Sequence, residues 1–229
     1  MHILIYSRLN SSRFKNKALT KLSNGKMLIE QVIDQAKKIA PNENIILATT
    51  TNHEDLKLCN IANKNKINYF RGSENNVLAR TINCCKKFKI KKFYRYCGDR
   101  PFVMTKNIRF YLNKNLNSFD MITNNLAKKK IDAGLTYEII TFNSLKKIYK
   151  KKILTSYDKE HITNFFYNNP KSFKIKKIVQ PKIFYKGNNY SIDKKSDIKF
   201  INFLINKNFN SEINFSKITK IYEKFASFN

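Results

Sequence analysis

The sequence predicts an α/β fold, Rossmann-like, with a mostly parallel sheet and helices on both faces. Short apolar runs recur through the first half, at residues 2–5, 44–49, 67–70 and 92–96. Each is followed by a stretch with apolar residues at helical spacing. Turn and cap residues (Asn, Asp, Ser, Gly) separate the two kinds of segment. Four successive β-then-α units are most simply joined by right-handed crossovers into a parallel sheet.

In order, HILI at residues 2–5 reads as a strand buried on both faces. A polar, basic loop follows over residues 6–19. Residues 26–39 carry Met27, Ile29, Val32, Ile33, Ala36 and Ile39 near helical spacing, and Pro41 follows the end. NIILAT at 44–49 is a second strand. Asn52 is positioned to cap a helix over 53–63, with Glu54 and Asp55 in its first turn. Residues 67–70 form a third strand, and Asn75 or Asn76 caps a helix through Val77, Leu78, Thr81, Ile82 and Cys85. KFYRY at 92–96 is the fourth strand and ends in CGDRP; Thr105 caps a helix over 106–115.

The second half is less regular. Strands are expected at 119–123, 135–142 and 173–179, with a short last strand at 190–193. Asn143 caps a helix through Leu145, Ile148 and Tyr149. Asp158 caps another over 161–167, Ser196 opens a helix through Ile198, Ile201 and Leu204, and residues 216–225 form a last amphipathic helix. No linker rich in Gly, Pro or Ser interrupts the chain and no repeat is visible. The expectation is one domain over residues 1–229, with 119–190 as an inserted β-rich segment.

Composition narrows the function. With 42% hydrophobic and 13% aromatic residues in 229, the chain is long and apolar enough for a real core. No apolar run approaches the length of a membrane span. The N-terminus has neither the charged flank nor the cleavage site of a signal peptide, so a cytoplasmic location is expected. Cys59, Cys84, Cys85 and Cys97 lack CxxC spacing and read as reduced structural thiols. The formal charge of +29 raises a nucleic-acid partner. Lysine, however, is dispersed over every exposed helix face as the default surface residue. Of the 45 basic residues only those at 8, 13, 71, 80, 95, 100 and 109 are arginines, all in the first half. If lysine is the default, arginine marks places where a forked guanidinium matters, and the first half is the anion-binding half.

Four stretches can carry chemistry. The loop YSRLNSSRFKNKAL leaves the C-terminal end of the first strand, where α/β sheets bind nucleotides. Its Arg8, Arg13 and Lys17 suit a polyphosphate. FRGSE follows the third strand. Gly72 permits close backbone approach and Ser73 offers a hydroxyl, though alone it reads as an ordinary turn. Asp99, at the end of the fourth strand, faces the same crevice as the first loop. On local grounds it reads equally as a Mg²⁺ ligand and as a turn or cap carboxylate. Asp193 is a second candidate ligand, with a helix cap as its plainer reading and Asp197 as a first-turn dipole partner.

Together these stretches resemble the sugar cytidylyltransferases, which make CMP-activated acidic sugars such as CMP-KDO and CMP-sialic acid. YSRLNSSRFKNKAL resembles their AR-x-GS-x-RLPGK signature. The likeness is strongest to the spore-coat polysaccharide branch. RGSENNVLAR resembles its RGSEDDVL-x-R, CGDRPFV its TGDCPLI, AGLTYEIITFNSLKKI its GLDVEVFSFEAL, KEHIT its REHVT, and YSIDKKSDIKFI its VDTPEDLELI. The motifs run in the family's order over nearly the whole chain.

The resemblance implies a nucleotide-diphospho-sugar transferase type of fold and nucleotidyl transfer, in which a sugar hydroxyl attacks the α-phosphorus of CTP and pyrophosphate leaves. It implies that Arg8, Ser11, Arg13 and Lys17 hold the triphosphate, with Arg13, Lys17 and Asp99 as the catalytic groups. Arg71 and Ser73 lie against the cytosine, Asp99 and Asp193 bind Mg²⁺, and Glu138, Glu160 and His161 stand near the acceptor. It further implies a homodimer through the β-rich segment; no specific nucleic acid and no membrane insertion are expected from the composition.

The departures are Tyr6 and Ser7 for the usual Gln-Ala, Asn10 and Asn16 for loop glycines, Lys15 for the loop proline, Thr136 for Asp, and Lys194-Lys195 for Thr-Pro. Asn tolerates the left-handed backbone, so the turns can survive. Two other classes compete. A glycosyltransferase-like enzyme would use an already activated nucleotide sugar without consuming CTP. A basic nucleic-acid-binding protein would cluster its lysines.

Overall fold

The computed structural model describes residues 2–114, 118–126, 131–151, 153–179 and 189–207. Strands β1 (His2–Tyr6), β2 (Ile45–Thr50), β3 (Asn68–Gly72) and β4 (Lys92–Cys97) lie side by side and parallel. Ile3, Leu4 and Ile5 are fully enclosed, and every residue of β2 is buried. Strands covered on both faces have this pattern. Each such aliphatic side chain contributes about 1.5–3 kcal/mol on burial.

Three more strands, β5 (Met121–Thr123), β6 (Glu138–Thr141) and β7 (Ile175–Lys177), extend the same sheet, whose order is β3-β2-β1-β4-β6-β5-β7. β6 runs antiparallel to β4 and β5, while β7 is parallel to β5. The helices are α1 (Leu28–Lys37), α2 (Leu56–Lys64), α3 (Val77–Lys87), α4 (Thr105–Asn113), α5 (Phe142–Tyr149), α6 (Ser156–Glu160), α7 (Asn164–Asn168) and α8 (Asp197–Asn206). Apolar residues of α1, α2, α4 and α8 pack with Ile3, Leu47 and Tyr94 on one face of the sheet. Those of α3, α5 and α7 pack with Leu4, Ile46 and Phe93 on the other. β1 lies between β2 and β4, so the chain leaves it in one direction and returns on its other side. Such a switch point opens a crevice beyond the strands' C-terminal ends.

Several caps differ from expectation. Asn76 does cap α3, accepting from the Ala79 amide at 2.8 Å. Asn52 makes no cap bond; its amide donates to Glu74 instead. α4 starts at Thr105 itself, with Met104 before it. Thr141, not Asn143, caps α5. Thr155 caps α6, and Asp158 sits at the third helical position, its carboxylate reaching back to the Thr155 amide. Thr141 stands two residues before the predicted Asn143, directly ahead of the first helical residue; the helix expected over 161–167 is α7, Asn164–Asn168, whose N-cap Thr163 makes no side-chain cap bond. Residues 190–193 form no regular strand; a single parallel bridge, Ala133 to Asn189, stands in its place. The predicted helix over 216–225 lies outside the described residues. Among the described residues no disulfide forms, and no helix is long and apolar enough to cross a membrane.

Candidate functional site

The loop after β1 is pinned at its root. The buried Asp55 carboxylate accepts from the Leu9 amide at 2.9 Å, the Thr49 hydroxyl at 2.9 Å, the Thr50 amide at 3.2 Å and the Thr50 hydroxyl. The loop then turns back on itself, and the Asn16 amide donates to the Leu9 carbonyl at 2.8 Å. Asn16 has φ 59°, in the left-handed region expected of a residue replacing glycine. Asn10 is not left-handed. A single 3-10 turn, Lys17–Leu19, follows and aims Lys17 into the crevice.

There Lys17 Nζ lies 2.6 Å from Asp99 Oδ2, 3.8 Å from Asp193 Oδ1 and 3.3 Å from the Ile192 carbonyl. Three distant segments therefore meet at one ammonium. Gly98 makes this possible from the β4 side. A Cβ there would lie 2.9 Å from the Tyr6 carbonyl oxygen and 2.9 Å from Ser7 Cβ, and the Gly98 amide donates to that carbonyl at 2.8 Å. The Ile192 amide donates to the Asp99 carbonyl at 2.9 Å, which sets Asp193 beside Asp99. Asp193 does not cap α8. Asp197, the first residue of α8, accepts from the Asp193 and Lys194 amides. The Asp193 carboxylate is left facing Lys17 and Arg13, the latter at 3.9 Å.

A cleft of about 200 Å³ opens here between the ends of β1 and β4, the start of α3 and the end of α6. Arg8, Ser11, Arg13, Lys17 and Asp99 line it, as do Glu160 and His161. Arg8 Nη2 pairs with Glu160 at 3.2 Å and its Nη1 donates to the Glu74 carbonyl at 3.4 Å. Arg13 is 76% exposed and its guanidinium makes only the loose 3.9 Å contact to Asp193. His161 packs against the ring of Tyr157.

Four expected residues do not line the cleft: Asp193, which meets Lys17 as described, and Arg71, Ser73 and Glu138. Arg71 spends its guanidinium on the carbonyls of Thr50, Thr51 and Asn52. Ser73 Oγ accepts from the Asn76 amide at 3.1 Å. Glu138 is buried behind the cleft, paired with Arg95 at 2.8 Å and accepting from the Tyr167 hydroxyl at 2.6 Å. Burial alone would push its carboxyl up, but the Arg95 guanidinium and the Tyr167 hydroxyl hold it below the ordinary carboxylate value. Conversely, the cleft is also lined by Tyr6, Arg80 and Arg95, to which the motifs assigned no role. The signal that finds the last two is arginine usage. Arg8, Arg13, Arg80 and Arg95 line the cleft, with Lys17 as its one lysine among the described residues. Arg71, Arg100 and Arg109 each donate to backbone carbonyls. A larger concavity of about 800 Å³ lies at the opposite end of β4 and β6, lined by Lys91, Lys92, Lys146, Lys147 and Lys174. It contains none of the candidate site residues.

Comparison with known proteins gives a consistent picture. The family described as Cytidylyltransferase matches residues 2–225. An uncharacterised protein of Methanocaldococcus jannaschii is 33% identical over 201 residues, covering 86% of this chain and 79% of that protein. The spore coat polysaccharide biosynthesis protein SpsF of Bacillus subtilis is 26% identical over 209 residues, covering 89% and 85%. Among solved structures, a cytidylyltransferase from Leptospira borgpetersenii superposes with a TM-score of 0.88 at 23% identity, covering 99% of this chain and 94% of the other. A CMP:2-keto-3-deoxy-manno-octonic acid synthetase complexed with CTP gives 0.64 at 12% identity, covering 90% and 98%. At these identities the two structures bear on the fold.

Proposed function

The chain belongs to the cytidylyltransferase family, and from that membership we propose that it transfers CMP from CTP to a hydroxyl of an acidic sugar of the nonulosonate or KDO kind, releasing pyrophosphate. The product would feed surface polysaccharide or glycan synthesis in the cytoplasm. Support for the polysaccharide context comes from the likeness to SpsF, and for CTP from the family itself. The single observation that carries the reading is the meeting of Lys17, Asp99 and Asp193 beneath a loop bearing Arg8 and Arg13.

The parts take these roles. Arg8, Ser11, Arg13 and Lys17 bind the triphosphate, neutralising oxygens that gain charge as the α-phosphorus is attacked. Arg13 is free to do so at once, whereas Arg8 must first leave Glu160. Two carboxylates converging from separate segments beside a phosphate-binding loop are a donor set suited to Mg²⁺, which takes one or two carboxylates with phosphate oxygens and water. Asp99 and Asp193 would hold it, and the ion would supply further charge neutralisation on the phosphates. Lys17, freed from its carboxylates, would then reach phosphate. Arg71 shapes the base side of the site through the carbonyls it fixes rather than by touching the nucleotide. Glu160 and His161 stand on the acceptor side, and a homodimer through residues 119–190 would complete it.

Thermal unfolding with Mg²⁺ and each of CTP, UTP, ATP and GTP tests the reading, since a ligand that binds only the folded state raises the midpoint. A CTP-selective rise that is lost in Asp99→Asn and reduced in Arg13→Ala supports it. Equal rises with all four nucleotides would reduce the site to a general polyanion binder.

A further inference from the structure

Arg95 enters the cleft floor from β4, one step below Cys97 on the same face of the strand. Its guanidinium is firmly placed. Nη1 donates to Glu138 Oε2 at 2.8 Å, across the β4–β6 pair in which the two residues stand opposite each other. Glu138 is in turn fixed by the Tyr167 hydroxyl on its other oxygen. The ring of Tyr6 lies 5.9 Å from the guanidinium carbon. Yet Nε is buried and has no hydrogen-bond partner. A guanidinium has five donors in a fixed fork, and Glu138 occupies only Nη1. Nε itself is covered, while 18% of the side chain remains exposed where it lines the cleft.

A buried N–H without an acceptor costs its desolvation and gains nothing in the free protein. The cost is recovered if a ligand supplies the acceptor. The matching group is planar with two oxygens side by side, which is the geometry of a carboxylate on a guanidinium edge. Side-chain choice points the same way, for lysine is this chain's ordinary cation and here an arginine stands. The phosphates already have Arg8, Arg13 and Lys17 on the opposite, loop side of the cleft. Arg80, the other buried arginine in the cleft, also has a buried Nε without a partner, but its Nη1 donates to the Ser73 carbonyl at 3.1 Å, on the β3 side and away from Glu138.

We propose that Arg95 is the residue that receives the acceptor's carboxylate, through guanidinium donors that Glu138 leaves unused, and that Glu138 and Tyr167 are positioning residues that hold the fork in place. The inference rests on the acidic-acceptor reading above and assigns that specificity to one side chain.

The test compares wild type, Arg95→Lys and the double variant Arg95→Met/Glu138→Leu. The double variant removes both partners, so neither is left as a buried unpaired charge. Each is assayed for pyrophosphate release with CTP and Mg²⁺. The acceptors are KDO and N-acetylneuraminate, each against its methyl ester. Lysine keeps the charge but not the fork. In both variants the acceptor KM rises about 10- to 100-fold, the yield of a charged hydrogen-bonded contact, the preference for acid over ester collapses, and the CTP KM stays within about twofold. A merely structural residue would lower activity on acid and ester alike. An unchanged acid-to-ester preference in Arg95→Lys, or a rise in the CTP KM alone, overturns the assignment while leaving the acidic-acceptor reading standing. A wild-type protein that binds CTP and turns over the esters as well as the acids, or neither acid, overturns that reading and this inference with it.

Discussion

Replacing Asp55 is the sharpest test of how the phosphate loop is held. Its carboxylate is 2% exposed and accepts from two backbone amides, Leu9 at 2.9 Å and Thr50 at 3.2 Å, and from two hydroxyls. In Asp55→Ala the hydroxyls can turn to other acceptors, but the two amides cannot. An orphaned buried donor costs about 1–3 kcal/mol, so the pair costs about 2–6 kcal/mol. For a chain of this size about 1 kcal/mol moves the melting temperature by roughly 2–4 °C, so Tm should fall by roughly 4–24 °C. Asp55→Asn keeps one acceptor oxygen and should lose about half as much. Asp55 lies outside the cleft, so any effect on catalysis must pass through the loop root. The CTP KM should therefore rise in the folded variant while acceptor KM changes little. Differential scanning calorimetry and steady-state kinetics read the two effects. A Tm within about 2 °C of wild type, with CTP KM unchanged, would refute the view that Asp55 fixes the loop.

Other consequences can be measured directly. Gly98→Ala pushes a Cβ against the Tyr6 carbonyl oxygen; it should cost about 1–3 kcal/mol by denaturant titration and lower kcat by displacing Asp99. Lys17→Met removes the ammonium that occupies both carboxylates; turnover should fall at least about 100-fold if Lys17 stabilises the transition state, while Mn²⁺ binding to the nucleotide-free protein, followed by electron paramagnetic resonance, becomes tighter. Glu138 has a folded-state pKa below its unfolded value of about 4.3. Its contribution is present above that value and is lost as pH falls through the lower folded pKa. Unfolding midpoints between pH 7 and pH 3 should therefore show a shallower acid decline in Glu138→Gln, although that variant starts less stable.

Much of the architecture was legible because it is local. Apolar periodicity marks the four βα units, and the loop after β1 carries its basic residues at a place where the fold must bind something. The acidic residues were ambiguous one at a time. Whether Asp99 was a turn residue or a ligand depended on Asp193 and Lys17, which only the packing brings together. Glu138 was named without its partner for a related reason. Its register opposite Arg95 arises from the antiparallel β4–β6 pairing, and a one-residue slip would have put it on the other face. Asp55 read as a first-turn dipole partner because its main bonds are to a loop 46 positions earlier in the chain. Arg71 was placed against the base by the resemblance, but its guanidinium is taken up by the carbonyls of residues 50–52.

The meeting of residues 17, 99 and 193 also bears on how the protein is made. Contacts between such distant positions are slow to form, because loop-closure entropy must be overcome before they stabilise anything. A nascent chain that has not yet released residue 193 lacks one of the two carboxylates and the Ile192–Asp99 backbone bond. The β1–β4 core can assemble while the cleft is still unfinished, so competence for CTP trails compactness during synthesis. Ribosome-bound chains arrested before and after that point would differ in nucleotide binding long before they differ in secondary structure.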